Sequence, residues 1–229
     1  RMEMDDPEAY RSEVLGEFRA GVATLLDPDA LSDVIDAGVR ERPPQDGTQY
    51  VAFADPASGS GKDAFTLAIA HRDGERAVLD LCRAWRPPFN PSGVIAEIAD
   101  VLKHYRCATV EGDRYAPGFV EEGFRANSIT YRHAARNRSE LYLELLPMVN
   151  AGSCVLLDDP ALLKQLRGLE RRRGTSGRDK VDHRRGEHDD MSNSAAGALA
   201  AVGQGKRRLL SFVLDEDAQH VTGCSTTAD

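Results

Sequence analysis

A chain of 229 residues, 41% of them hydrophobic and 6% aromatic, fits one domain of ordinary-to-large size with flanking extensions and one sizeable core. The formal net charge of -8 argues at face value against a nucleic-acid partner, and no apolar run is long enough to cross a bilayer. The N-terminus is acidic and lacks the basic-then-apolar pattern of a signal segment, while the start at Arg1 reads as a piece of something longer.

The elements follow from apolar periodicity and breakers. Asp5-Asp-Pro-Glu-Ala-Tyr10 opens a helix with Tyr10, Val14, Phe18 and Val22 on one face. A short helix is expected over 29–38, followed by the breaker-rich Arg42-Pro-Pro-Gln-Asp-Gly47. Residues 1–48 therefore read as a connecting arm outside the core, 49–203 as the folded domain and 204–229 as a tail. Strands are expected over 50–55, 64–72 and 77–85, the last two joined by an Asp73-Gly74 hairpin turn.

From there, strand and helix alternate. A helix over 92–105 precedes a short strand over 107–110 that runs into Glu111-Gly-Asp113. Then come a helix over 119–126, an extended piece over 128–131, a helix over 139–150 and a strand over 153–157. Asp159 and Pro160 start a helix carrying Leu162, Leu163, Leu166 and Leu169, and Asp189 or Asp190 caps a small-residue helix through Val202. Three meandering strands followed by this alternation predict an α/β fold with a mixed central sheet and helices on both faces.

Two signals for other chemistry fail. Ser58-Gly-Ser-Gly-Lys-Asp63 imitates the end of a phosphate-cradling loop, but Pro56 and Asp63 stand where that loop needs Gly and Ser or Thr, so no nucleotide site is expected. Cys82, Cys107, Cys154 and Cys224 are scattered, and the first three lie in apolar runs as core thiols.

Three acids share one setting, the end of a core element. Asp55 closes the first strand of the meander, Asp113 follows the strand carrying Glu111, and Asp190 opens the last helix beside Asp189. Standing alone, Asp55 before Pro56 reads equally well as a turn-initiating residue. Ligand sites in α/β sheets lie outside the carboxyl ends of strands, so Asp55 and Asp113 become neighbours if their strands are parallel and adjacent. An oxygen-only cluster suits Mg²⁺ or Mn²⁺, and two such ions about 4 Å apart can hydrolyse a phosphodiester. Glu111 shares a side with Asp113 if the strand persists, and Asp189 is the alternative to Asp190, better placed as a cap. Asn193 lies one helical turn after Asp190, and His188 reads either as a support for the ligands or as an ordinary loop histidine. Despite the net charge, bases crowd between Lys164 and Arg185, so Arg171, Arg172, Arg173, Arg178 and Lys180, with Arg114, are expected to contact phosphate.

Several ordered motifs add a family resemblance over roughly residues 1–202. They are Phe53-Ala-Asp-Pro-Ala-Ser-Gly-Ser-Gly61, Glu111-Gly-Asp-Arg-Tyr-Ala116, Arg138-Ser-Glu-Leu-Tyr142, Leu156-Leu-Asp-Asp-Pro160 and Leu169-Glu-Arg-Arg172. Gly177-Arg-Asp179, Asp182-His183, His188-Asp-Asp-Met-Ser-Asn193 and Ala195-Ala-Gly-Ala198 complete the series. Together they resemble the nuclease domain of the large terminase subunit of tailed bacteriophages and prophages. The resemblance implies a ribonuclease H-like (resolvase/integrase-type) fold and a Mg²⁺- or Mn²⁺-dependent endonuclease that cuts concatemeric double-stranded viral DNA. It implies metal-binding acids at Asp55, Asp113 and Asp190, with Glu111 as the position that varies between branches. Asn193 stands where related resolvases place a further Asp. The implied partners are double-stranded DNA, a terminase ATPase domain reached through the arm 1–48, the portal and the small terminase subunit, all in the host bacterial cytoplasm and away from membrane. Two other readings stay open: a packaging module that binds DNA without cutting it, and a resolvase-like nuclease acting on branched DNA.

Overall fold

The computed structural model of the protein describes residues 22–114, 118–173, 179–184 and 186–203. The expected first helix, the tail 204–229 and Arg178 lie outside the described residues, apart from Val22. The described chain begins with β1 (Val22–Thr24), α1 (Pro28–Asp33) and β2 (Ile35–Asp36). The meander is β3 (Tyr50–Asp55), β4 (Phe65–Asp73) and β5 (Arg76–Trp85). Next come α2 (Pro91–His104), β6 (Thr109–Gly112), α3 (Phe119–Ala126), β7 (Thr130–His133), α4 (Arg138–Asn150) and β8 (Cys154–Leu157). The series ends with α5 (Pro160–Arg167), β9 (Leu169–Arg173), β10 (Asp179–His183) and the helix α6 over 190–203.

Seven strands form the central sheet in the order β2-β8-β5-β4-β3-β6-β7. The meander strands pair antiparallel, whereas β6 and β7 on one side and β8 and β2 on the other pair parallel. Strand alternation explains why both faces are apolar. Phe53, Ala68 and Ala70 face one side, with α4, α5 and α6; Ala52, Ala54, Leu67 and Ile69 face the other, with α2 and α3. Local signals fix the helix starts: Asn137 and Glu140 form a capping box on α4, and the Asp159 carboxylate caps α5 ahead of Pro160.

α6 packs tightly against β3. A Cβ placed on Gly197 would lie 2.3 Å from the Phe53 ring, so glycine is what lets the helix rest on the strand. The small residues Ala195, Ala196, Ala198 and Ala200 keep the rest of α6 equally near the sheet, all of them buried.

Two expectations are corrected. The described part of the expected arm 1–48 belongs to the core: Leu25, Leu26, Leu31 and Val34 are buried with α4 and α5, and β2 extends the central sheet beside β8. Its apolar residues are too few for a sequence pattern, but each meets a partner distant in the chain. The helix that starts at Asp159 ends at Arg167, because Gly168 caps it, and Leu169 starts β9 instead. β9 is the middle strand of a small antiparallel sheet with β1 and β10, so the described basic residues within Leu169–Arg173 and Asp179–His183 lie on strands.

Leu31→Ala tests the first correction. Truncating this fully buried side chain is expected to destabilise the protein by about 2–4 kcal/mol in chemical denaturation. A loss below about 0.5 kcal/mol is what an arm outside the core would give.

Candidate metal centre

The register of β3 and β6 brings two of the three acids together. These strands are parallel neighbours with Ala54 opposite Gly112, so Asp55 and Asp113 each sit one residue beyond that last pair. No side chain fits at position 112, where a Cβ would lie 2.3 Å from the Ala54 carbonyl oxygen. The third acid arrives on α6. Phe53 meets Gly197; two residues further along the strand, Asp55 meets Asn193, one helical turn nearer the start of α6. Asp190 lies on that first turn.

Asn193 Nδ2 donates to Asp55 Oδ2 at 2.8 Å and to Asp113 Oδ2 at 3.0 Å. Its own Oδ1 is buried and without a hydrogen-bond partner among the described residues. The Asp190 carboxylate accepts from the backbone N–H of Ala64 at 2.9 Å, and its carbonyl accepts from the Thr66 hydroxyl at 2.9 Å. Asp55, Asp113 and Asp190 all line one cavity of about 280 Å³, together with Ser58, Asp63, Arg114 and Arg138.

Charge is expensive here. Burial, with the neighbouring Asp113 carboxylate next, pushes Asp55 up to about 7. Burial also raises Asp113 and Asp190, although the Asn193 amide and the Ala64 N–H work the other way. Asp113 and Asp190 both repel Asp55, and this set of oxygen donors, beside an orphaned amide oxygen, suits a hard divalent cation. The residues present therefore fit Mg²⁺ or Mn²⁺.

The remaining expected residues divide. Asp189 is 2% exposed, and its carboxylate is taken up by Arg138 Nη1 at 2.9 Å and the Tyr142 hydroxyl at 3.1 Å. Its carbonyl accepts the Asn193 N–H, which makes it the residue that starts α6 rather than one that lines the cavity. Glu111 is opposite Phe53, one step back from the strand end, and does not line the cavity either. His188 is exposed, with Nδ1 3.7 Å from Asp63 Oδ1. Asp63, His188 and Asp190 offer ligand atoms that all lie within 4.8 Å of one another.

Of the expected phosphate contacts, Arg114 lines the cavity rim. Arg171 and Lys180 are exposed on the small sheet, Lys180 paired with Asp182 at 3.0 Å, and Arg172 pairs with Glu170 at 3.3 Å. The backbone of Arg173 stands opposite that of Asp179 in the β9–β10 ladder. Sequence reasoning missed Asp63 and Arg138 as parts of the site. An acid in the Gly-rich loop after a core strand was the signal for the first; an Arg opening a capped helix gave none for the second.

The fold has known counterparts. The large terminase nuclease from the thermophilic phage G20c is similar with a TM-score of 0.66 at 18% identity, over 77% of this chain and 97% of that one. The same phage nuclease with bound magnesium gives 0.64 at 18% identity, over 77% and 96%. The large terminase of bacteriophage HK97 gives 0.62 at 13% identity, over 79% of this chain and 44% of that one, so the chain spans under half the length of that protein. No protein-family model matches the chain, and no curated protein matches it in sequence. The chain has the fold of the large terminase nuclease domains, a ribonuclease H-like mixed α/β fold.

The raised Asp55 sets a pH prediction for the metal-free protein. A carboxyl that holds its proton more tightly when folded contributes stability at low pH and loses it as pH rises, here between about 4 and 7. Denaturation midpoints should therefore fall across that window in chelator, and Asp55→Asn should flatten the fall and exceed the wild type in stability at its upper end. A midpoint that rises over the window, or an unchanged slope in Asp55→Asn, would contradict the assigned environment.

Proposed function

We propose that the protein is a metal-dependent endonuclease of the large terminase type, cutting concatemeric double-stranded DNA by two-metal phosphodiester hydrolysis with Mg²⁺ or Mn²⁺. The observation that carries this reading is the convergence of Asp55, Asp113 and Asp190 on one cavity at the carboxyl edge of β3 and β6. The fold shared with a magnesium-binding phage nuclease supports it.

Each acid has a distinct task in this reading. Asp55, Asp113 and Asp190 would hold the ions, and Asp55 is the acid that feels the charge of both others. When bound, the ions supply an activated water and stabilise charge on the phosphate and leaving oxygen. Asn193 keeps the Asp55 and Asp113 carboxylates aimed at one point, and the Ala64 N–H fixes Asp190. Asp63 and His188 extend the oxygen and nitrogen donors toward the cavity mouth. Arg114 contacts phosphate at the rim, and Arg171, Arg172 and Lys180 hold the duplex farther out. Phosphate contacts position DNA without reading sequence, so little sequence preference is expected. The protein acts with a terminase ATPase domain, a portal and a small terminase subunit in the host cytoplasm; among the described residues no helix is long and apolar enough to cross a membrane.

The purified chain should nick supercoiled plasmid only when Mg²⁺ or Mn²⁺ is present. Asp55→Ala should lower the rate by at least about 100-fold and abolish the rise in melting temperature that Mn²⁺ gives the wild type. Cleavage retained in Asp55→Ala sinks the assignment. Salt-sensitive DNA binding with no cleavage would instead favour a module that only holds DNA.

A further inference from the structure

We infer that Arg138 contacts the phosphate being cut and stabilises its transition state, a role that rests on the nuclease reading above. Arg138 is the first residue of α4, where the Asn137–Glu140 capping box fixes the backbone. From there its guanidinium reaches the same cavity as Asp55, Asp113 and Asp190. Nη1 donates to Asp189 Oδ1 at 2.9 Å.

That anchor is itself hydrogen-bonded elsewhere. Asp189 is buried, accepts a second bond from Tyr142, and has His183 Nδ1 3.3 Å away. The Tyr142 hydroxyl thus gives the carboxylate a hydrogen bond besides that of Arg138, whereas His183 Nδ1 makes none among the described residues. A residue serving only as a buried counter-ion would be enclosed, but the Arg138 side chain is 41% exposed, toward the cavity that it lines. With Nη1 held, the rest of the planar fork has no hydrogen-bond partner among the described residues and can meet two oxygens of a phosphate, a bidentate match that Lys cannot copy. Burial draws the proton affinity of Arg138 down, but the charges of Asp189, Asp55 and Asp113 raise it further, so the group stays a cation.

The chemistry needs such a cation. In hydrolysis a water oxygen bonds to phosphorus, the bond from phosphorus to one sugar oxygen breaks with its electron pair, and a water proton ends on that sugar oxygen by way of solvent. Negative charge grows on the non-bridging oxygens as this happens. A donor already fixed at that place stabilises the growing charge without reorganising. Arg138 keeps its own protons throughout, and Asp189 positions it.

The test compares wild type, Arg138→Gln and Arg138→Lys of the full chain. It measures nicking kinetics in Mn²⁺, duplex affinity by anisotropy in Ca²⁺, Mn²⁺ affinity by calorimetry and melting temperature. The expected result for Arg138→Gln is a fall in kcat of about 100-fold, with duplex affinity within about threefold of wild type. Mn²⁺ affinity should be equal or higher, since a competing positive charge has gone, and Arg138→Lys should recover part of kcat. Wild-type kcat in Arg138→Gln overturns the inference and leaves the nuclease reading standing. So does a loss of duplex affinity as large as the loss of kcat, which marks a contact made before the transition state. A fall in melting temperature with no recovery in Arg138→Lys assigns a structural role and also overturns it. A wild-type chain that does not cut in Mn²⁺ removes the nuclease reading, and this inference with it.

Discussion

A buried carboxylate, Asp55, and a half-buried one, Asp113, share a single amide donor, Asn193 Nδ2, at 2.8 and 3.0 Å. One neutral group cannot satisfy two charges that repel each other in a site shielded from water. The tension is visible in Asp55, lifted to about 7 by burial and by Asp113. Keeping such acids together requires a scaffold that leaves them no alternative. The scaffold is the register of β3 with β6 and the seating of α6 on Phe53, where Gly197 removes the last obstacle to contact. Move the helix outward by one methyl group and the amide no longer reaches both strand ends.

A second network surrounds the first and ties it to the basic sheet. Asp189 starts α6 with its carbonyl and holds Arg138 and Tyr142 with its carboxylate. His183 of β10 lies beside the same carboxylate, and the Ser139 hydroxyl of α4 bonds the backbone of Val181. The strands bearing Arg171, Arg172 and Lys180 are thus braced against the helices that supply Arg138 and Asp190. In the proposed reading, a duplex laid across those strands would be positioned relative to the acids by packed elements.

Much of this was legible in the residues, and for a physical reason. Strands β3, β4 and β5 show alternation, a clear hairpin turn and sharp ends, all of which are local properties. An acid at the end of each of three apolar elements is legible for the same cause, as were the caps at Asp159 and at the start of α6. What was hidden depends on contacts between distant parts of the chain. β1 pairs with β9, which lies far along the sequence, and three residues carry no periodicity to announce it. Leu25, Leu26 and Leu31 looked like an arm because their partners on α4 and α5 come a hundred residues later. Asp63 read as a reason to exclude a phosphate loop, and only the fold sets it beside His188 and Asp190. The choice between Asp189 and Asp190 likewise needed the directions of the side chains, which adjacency in sequence does not give.

The central claim is that divalent cations bind where Asp55, Asp113 and Asp190 meet. Anomalous diffraction from crystals soaked in Mn²⁺ addresses it without any appeal to activity. The account predicts strong peaks within coordination distance of the Asp55 carboxylate, bridged toward Asp113 on one side and Asp190 on the other. A soaked crystal with that cavity free of anomalous signal, or with manganese bound only elsewhere on the molecule, would contradict it.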